Sequence, residues 1–235
     1  MASVAAGLAA ARRRIELAGG DAGAVRVVAV TKGFGAEAVE AASAVGLEDV
    51  GENYAQELLA KHEALRSEGR VLRWHFLGAV QRNKVRILAP VVDCWESVAR
   101  EVEGVEIARR RPGATVLVEL DAAGTPGRNG CPPEGVEGLV GALRGLDLDV
   151  AGLMTVAPPD PEGARRAFRT LRRLADRLSL RERSMGMSGD LELAVAEGTT
   201  MVRLGSALFG RRPPRRATGA TGATPPVRQA ANPSA

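Results

Sequence analysis

Short apolar, β-branched runs recur along this chain, separated by stretches of helical periodicity, and this alternation constrains the fold more than any other feature. Eight runs read as strands: Arg26–Thr31, Asp49–Gly51, Arg73–Leu77, Val91–Trp95, Thr115–Leu120, Val150–Thr155, Ser184–Met187 and Met201–Leu204. Between them, residues 35–46 put Ala38, Val39, Ala42 and Val45 on one helical face, and residues 160–178 do the same with Ala164, Phe168, Leu171, Ala175 and Leu178. Breakers such as Gly124-Thr125-Pro126-Gly127 and Pro158-Pro159-Asp160 fall in the gaps. Strands that alternate with helices imply helical crossovers, and so a parallel sheet. Eight such units predict an α/β fold, a (β/α)8 TIM-like barrel. An open doubly wound sheet would show the same periodicity and remains the alternative. Residues 1–18, with Val4, Leu8 and Ile15 on one face, add an extra N-terminal helix. The barrel is expected to span residues 1–212. From Pro213 to Ala235 no core-forming residue recurs, and the Pro, Gly, Thr and Ala content predicts a disordered tail.

Composition excludes several function classes. The formal net charge is +4, but residues 211–235 contain five arginines (Arg211, Arg212, Arg215, Arg216, Arg228) and no acid. Residues 1–210 therefore carry −1, and no basic surface is expected on the body. Aromatic residues make up only 3%, too few for a base-stacking platform, so nucleic acid is not an expected partner. No run approaches the length of a membrane span. The N-terminal arginines follow the apolar stretch, the reverse of a secretory signal, which predicts a cytoplasmic protein. Cys94, Cys131, His62 and His75 lack metal-ligand spacing, so neither a disulfide framework nor a zinc site is expected.

The residues that carry chemistry sit at strand ends. Lys32 closes Val28-Ala29-Val30-Thr31-Lys32-Gly33, at the C-terminal end of the first strand, where barrel enzymes keep their active groups. Partial burial there would favour a neutral amine able to attack an aldehyde; the plain alternative is a solvated loop lysine. Ser188 follows the seventh strand and either caps the next helix or offers its hydroxyl to an anion. Gly205 and Ser206 follow the eighth strand, and their N–H groups could meet a phosphate. The loops after strands seven and eight are the usual phosphate site of such barrels. Arg203 falls inside an apolar strand, so it needs a partner, either a ligand or a structural carboxylate. His75 lies within a strand and is read as a satisfied core histidine rather than a catalyst. Asn53 either reaches a ligand or caps a helix, and Lys84 faces solvent or a phosphate.

Five segments, AVTKG (29–33), GENYAQE (51–57), WHFLGAVQRNK (74–84), AGLMTVAP (151–158) and MGMSGDLELAVAEGTTMVRLGSALFGRR (185–212), occur in the order of one family. The chain resembles the YggS/PROSC (PLPBP) family of pyridoxal phosphate homeostasis proteins over most of residues 25–212. The resemblance implies a barrel similar to the N-terminal domain of alanine racemase, with pyridoxal 5'-phosphate (PLP) at its mouth. It implies Lys32 as the Schiff-base lysine, with Ser188, Gly205 and Ser206 as phosphate contacts. Arg203 would be the partner of the ring nitrogen, and Asn53 and Met187 pocket neighbours. It also implies a monomer, with PLP-dependent apoenzymes as partners. Two positions depart from the family pattern: Arg82 replaces a small polar residue, and Arg128 stands where lysine is common.

An arginine under the ring nitrogen only donates hydrogen bonds, so the nitrogen stays unprotonated and the ring is a poor electron sink. In the resembled racemases a tyrosine from a second domain supplies the second base. Here the chain ends soon after the barrel, and its only tyrosine is Tyr54. The expectation is a PLP carrier with no catalytic residue and no metal. A PLP-dependent racemase of unknown substrate is the alternative, and a Schiff-base aldolase on the same barrel a further rival.

Overall fold

The computed structural model describes residues 4–66, 71–124 and 127–211. The expected tail, residues 213–235, lies outside them. Strands β1 (Arg26–Val30), β2 (Asp49–Glu52), β3 (Arg73–Phe76), β4 (Cys94–Val98), β5 (Thr115–Glu119), β6 (Asp149–Met154), β7 (Glu182–Ser184) and β8 (Met201–Leu204) pair in sequence order, and β8 returns to β1. Every pairing is parallel, and Ala29 of β1 stands opposite both Val50 of β2 and Leu204 of β8. That closure excludes the open sheet. Helix α1 (Val4–Leu17) precedes the barrel. Helices α2 (Ala36–Ser43), α3 (Ala55–Leu65), α4 (Arg82–Leu88), α5 (Glu101–Arg110), α6 (Val136–Gly145), α7 (Pro161–Arg177) and α8 (Leu191–Ala196) follow β1 to β7 in turn. A single turn, α9 (Ser206–Phe209), follows β8.

Two strands differ from the sequence expectation by more than one residue at an end, and both have polar residues that face the lumen. β4 begins at Cys94 rather than Val91, because Val91 and Val92 still turn back to the Leu88 carbonyl at 2.9 Å. It then continues through the buried Glu96 and Ser97. β7 is Glu182–Ser184 rather than Ser184–Met187. After it, Gly186 has φ +97, a left-handed conformation that a side chain resists. A Cβ at Gly186 would also lie 2.5 Å from that of Ala194. The next helix starts at Leu191, so Ser188 is not its N-cap; Asp190 holds that position.

Strand alternation sorts the core into two layers. Trp74, Phe76, Trp95, Val98, Val116, Val118 and Leu153 face the surrounding helices and form most of the core with Leu58, Leu88, Ile107, Leu143 and Phe168. α7 shows how the sequence builds that layer. Asp160 caps it by accepting from the Gly163 N–H at 2.6 Å, Pro161 occupies its first turn, and Ala164, Phe168, Leu171 and Ala175 are buried on one stripe. Leu8, Ala11 and Ile15 of α1 pack with Val27, Leu204 and Leu208, covering the seam where β8 meets β1. Inside the barrel, Cys94, Leu117, Ala151 and Met154 make a small apolar cluster. Other inward positions, among them His75, Glu96, Ser184 and Arg203, are polar and buried.

Candidate functional site at the barrel mouth

Lys32 lies two residues beyond β1 and is half-buried. Its backbone is held on both sides. Thr31 donates its hydroxyl to Glu52 Oε1 at 2.6 Å, and its carbonyl accepts from Lys61 Nζ at 2.8 Å. Lys61, from α3, is itself buried and forms a short ion pair with Glu52. On the other side, the Gly33 N–H donates to Glu57 Oε2 at 2.8 Å. Since the Thr31 side chain points outward to α3, alternation turns its neighbour Lys32 toward the mouth. Burial raises the Glu52 carboxyl above its usual range, against the pull of Lys61. Glu52, Glu57 and Lys61 were not expected from sequence as site residues. Two acids within GENYAQE followed by a lysine four residues later were the available signal.

The exits of β7 and β8 come together. Ser188 Oγ accepts from the Ala207 N–H at 3.1 Å, which ties the loop after β7 to the first turn of α9. The N–H groups of Gly205 and Ser206 donate to no backbone carbonyl among the described residues. Gly205 lies close to β1: a Cβ there would be 3.3 Å from the Val30 carbonyl oxygen, two residues before Lys32. α1 braces the same loop, since Arg14 donates to the Ser188 carbonyl at 3.1 Å while gripping Glu192 at 2.6 and 2.8 Å.

Below the mouth lies Arg203, 5% exposed. Its guanidinium donates to Ser184 Oγ at 2.6 Å and to the Thr155 carbonyl at 2.7 Å, and approaches Glu96 Oε2 at 4.0 Å. It therefore has the structural carboxylate that sequence allowed for, while these two bonds leave further N–H donors of its five. Burial lowers its pKa. His75 sits deeper, its Nδ1 2.6 Å from Glu96 Oε1 and its Nε2 2.9 Å from Asp49 Oδ1. Burial alone would drive the imidazolium down; hydrogen bonds to Asp49, Cys94 and Glu96 outweigh it and hold His75 well above its usual value. Burial likewise opposes ionisation of Glu96 and Asp49, but His75 keeps the first low, and Arg73 with His75 the second. His75, Cys94 and Glu96 bring ligand atoms within 4.8 Å of one another. Both ring nitrogens already face carboxylates, so the cluster shares protons rather than offering an open metal position.

Lys32, Asn53, Ser188, Gly205 and Ser206 thus gather at the exits of β1, β2, β7 and β8, which are consecutive around the closed barrel. Asn53 Oδ1 is buried with no hydrogen-bond partner among the described residues, which marks an acceptor waiting for a donor. Met187 lines a cleft of about 370 Å³ with Ala157, Pro158 and Leu193, to one side of the other five. Tyr54 is 47% exposed at the start of α3. Lys84 lies in the first turn of α4, after β3, away from the four strands that carry the group. The donor set suits a phosphorylated aldehyde: a strand-end amine, a hydroxyl with two backbone N–H groups for the phosphate, and a buried guanidinium beneath them.

Fold and site together define the class: a parallel (β/α)8 barrel with a lysine just beyond β1 and a serine hydroxyl beside backbone N–H groups in the loops after β7 and β8. The family described as "Alanine racemase, N-terminal domain" matches residues 7–213. The chain is 39% identical to a pyridoxal phosphate homeostasis protein of Pseudomonas aeruginosa, over 90% of this chain and 97% of that one. It is 36% identical to one of Aquifex aeolicus, over 86% and 93%. Among solved structures it is similar to PipY of Synechococcus elongatus with PLP bound, at a TM-score of 0.75 and 31% identity, covering 85% of this chain and 100% of PipY. An alanine racemase of Clostridium difficile shares the fold at a TM-score of 0.70 and 18% identity, and the match covers 57% of that enzyme. The chain belongs to the pyridoxal phosphate homeostasis protein family, within the alanine racemase N-terminal fold. No helix among the described residues is long and apolar enough to cross a membrane.

Proposed function

We propose that this protein binds pyridoxal 5'-phosphate at the barrel mouth, as a reversible Schiff base on Lys32, and holds, buffers and hands on the cofactor without turning over an amino acid. The convergence of Lys32, Asn53 and the Ser188–Gly205–Ser206 cradle above the buried Arg203 carries this reading. Lys32 would hold the cofactor through its aldehyde carbon as a reversible imine, with water the only by-product, and hydrolysis would release it. Ser188, Gly205 and Ser206 would hold the phosphate, Arg203 would serve the ring nitrogen, and Asn53 and Met187 would be neighbours of the ring. When bound, the cofactor can act as an electron sink, but Arg203 cannot hand the ring nitrogen a proton, which weakens that sink. This supports carriage over catalysis. We read the protein as a cytoplasmic monomer whose recipients are PLP-dependent apoenzymes, with the barrel ending near residue 212.

The deciding experiment mixes the purified chain with PLP, records the visible spectrum, and reduces the complex with borohydride for peptide mapping. The expected label is on Lys32, and Lys32→Ala loses both band and label. Label on Lys84 would overturn the site. A spectrum with no PLP band would leave the Schiff-base aldolase as the surviving use of Lys32. Exchange of the Cα hydrogen of amino acids with solvent deuterium at ordinary enzyme rates would establish the racemase instead.

A further inference from the structure

Ser184 and Glu96 lie on β7 and β4, which are not neighbours in the barrel. The 2.6 Å bond from Ser184 Oγ to Glu96 Oε2 therefore crosses the lumen. It belongs to a chain. Arg203 donates to Ser184 Oγ, Ser184 donates to Glu96, and the other Glu96 oxygen meets His75, which meets Asp49. Arg73 closes the chain with two bonds to Asp49, at 2.8 and 2.7 Å. A hydroxyl has one proton and Arg203 has no lone pair to offer, so the direction at Ser184 is fixed: it accepts from arginine and gives to glutamate. Glu96 is held below and His75 well above its usual value by their mutual hydrogen bond, so Glu96 accepts as a carboxylate and His75 donates from both nitrogens. Apart from this chain, the Thr155 carbonyl anchors Arg203 among the described residues.

We propose that Ser184 and Glu96, braced from below by His75, are positioning residues that aim and hold the Arg203 guanidinium under the ring nitrogen of bound PLP. The inference rests on the cofactor reading above. The brace reaches the opposite end of the barrel, where Asp49, Arg73, His75 and Cys94 line a cavity of about 360 Å³. The charged and titratable groups facing the chain are Asp49 on β2, Arg73 on β3, Cys94 on β4, Glu119 on β5, Glu182 on β7 and Asp190 before α8. All of these stay in place in the variants below. Glu96 approaches the guanidinium closely enough to offset part of its charge, so removing that carboxylate makes the surroundings of the Schiff base more positive.

The test uses the full chain loaded with PLP and follows the pH midpoint of the visible band together with the PLP dissociation constant. Glu96→Gln keeps the shape and deletes the charge; it is expected to lower the midpoint by about one pH unit and weaken binding about tenfold. Ser184→Ala removes only the hydroxyl link and is expected to weaken binding about threefold, with a smaller shift in the same direction. In the cofactor-free chain, histidine NMR reads the brace directly, since His62 and His75 are the only two histidines. His75 is expected to remain doubly protonated well above the usual range and to lose that in Glu96→Gln. Variants that melt earlier yet titrate and bind like wild type would show a purely structural role and overturn the proposal. If Glu96→Gln does not fold, Ser184→Ala decides. A wild-type chain with no PLP band removes the cofactor reading and this inference together; a normal wild-type band with unmoved variants removes the inference alone.

Discussion

Between β2 and α3, Lys61 is buried against Glu52 and Thr31; inside the barrel, His75 is buried between Asp49 and Glu96. Both clusters take charge out of water, which hydrophobic replacement would often do at lower cost. They differ in what they hold. The outer cluster fixes backbone: the Thr31 carbonyl and hydroxyl, and so the direction in which Lys32 leaves β1. The inner cluster fixes a side chain, Arg203, through Ser184. The comparison teaches that the proposed covalent and ionic contacts to the cofactor are set by separate supports, one on each side of the sheet.

The largest effects should come from leaving one charge unpaired in each cluster. Glu52→Ala takes from the buried Lys61 its close carboxylate, and His75→Gln takes from the buried Glu96 its hydrogen-bonded cation, while Asp49 keeps Arg73; each is expected to lower stability at neutral pH by about 3–5 kcal/mol. Acid separates the two clusters. Asp49 and Glu96 are held below their usual values of 3.8 and 4.5, so their stabilisation is present above that range and is lost as pH falls through the depressed values. His75 is raised above 6.5, so its contribution is complete below 6.5 and fades as pH climbs through the folded value. Glu52 is raised above 4.5 and has the opposite sign to the inner carboxylates: its contribution grows as pH falls through the raised value. Urea melts over a pH series should therefore show the His75→Gln deficit shrinking in acid, as Glu96 takes up a proton. The Glu52→Ala deficit should not shrink in the same way. Parallel profiles for the two variants would erase the distinction.

The barrel was legible because its outward layer is apolar and periodic, and periodicity is what sequence displays. The boundaries failed at β4 and β7, where Glu96, Ser97, Glu182 and Arg183 interrupt the apolar pattern. The same feature hid half of the site. Arg203 was recognisable as a buried charge needing a partner, because it is surrounded by Val202 and Leu204. Its partner Ser184 sits on the neighbouring strand β7 and Glu96 comes from across the lumen on β4, at separations of 19 and 107 positions, and no local spacing reveals such pairings. Ser188 was seen, but its role as the cap of α8 was not correct: after the left-handed Gly186 the cap falls two residues later, at Asp190, and the serine accepts from Ala207 instead.

That glycine supplies the next smaller effect. Gly186→Ala must place a side chain at φ +97 and within 2.5 Å of the Ala194 Cβ. A loss of about 2 kcal/mol is expected, intermediate between the stranded charges and a surface pair. Because the strain falls between β7 and Ser188, PLP binding should weaken more than Lys32 labelling at saturating PLP. Equal losses in both would mean that the loop after β7 supports the lysine as well as the cradle.

The smallest effect should come from Arg14, on the helix added before the barrel. Its pair with Glu192 has good two-pronged geometry but is 32% and 50% exposed, and exposed pairs contribute little after solvent screening. Arg14→Ala is therefore expected to cost under about 1 kcal/mol in urea melts, with the difference shrinking further in high salt. The same guanidinium also holds the carbonyl of Ser188, a residue of the proposed cradle itself. A loss of PLP affinity of about twofold or threefold should accompany the small stability change, since one charge-assisted bond to the loop is removed. Glu192→Gln weakens the ion pair but leaves the Arg14–Ser188 bond available. If the two variants bind PLP alike, α1 only covers the seam between β8 and β1; if only Arg14→Ala weakens binding, α1 is part of the phosphate cradle's support.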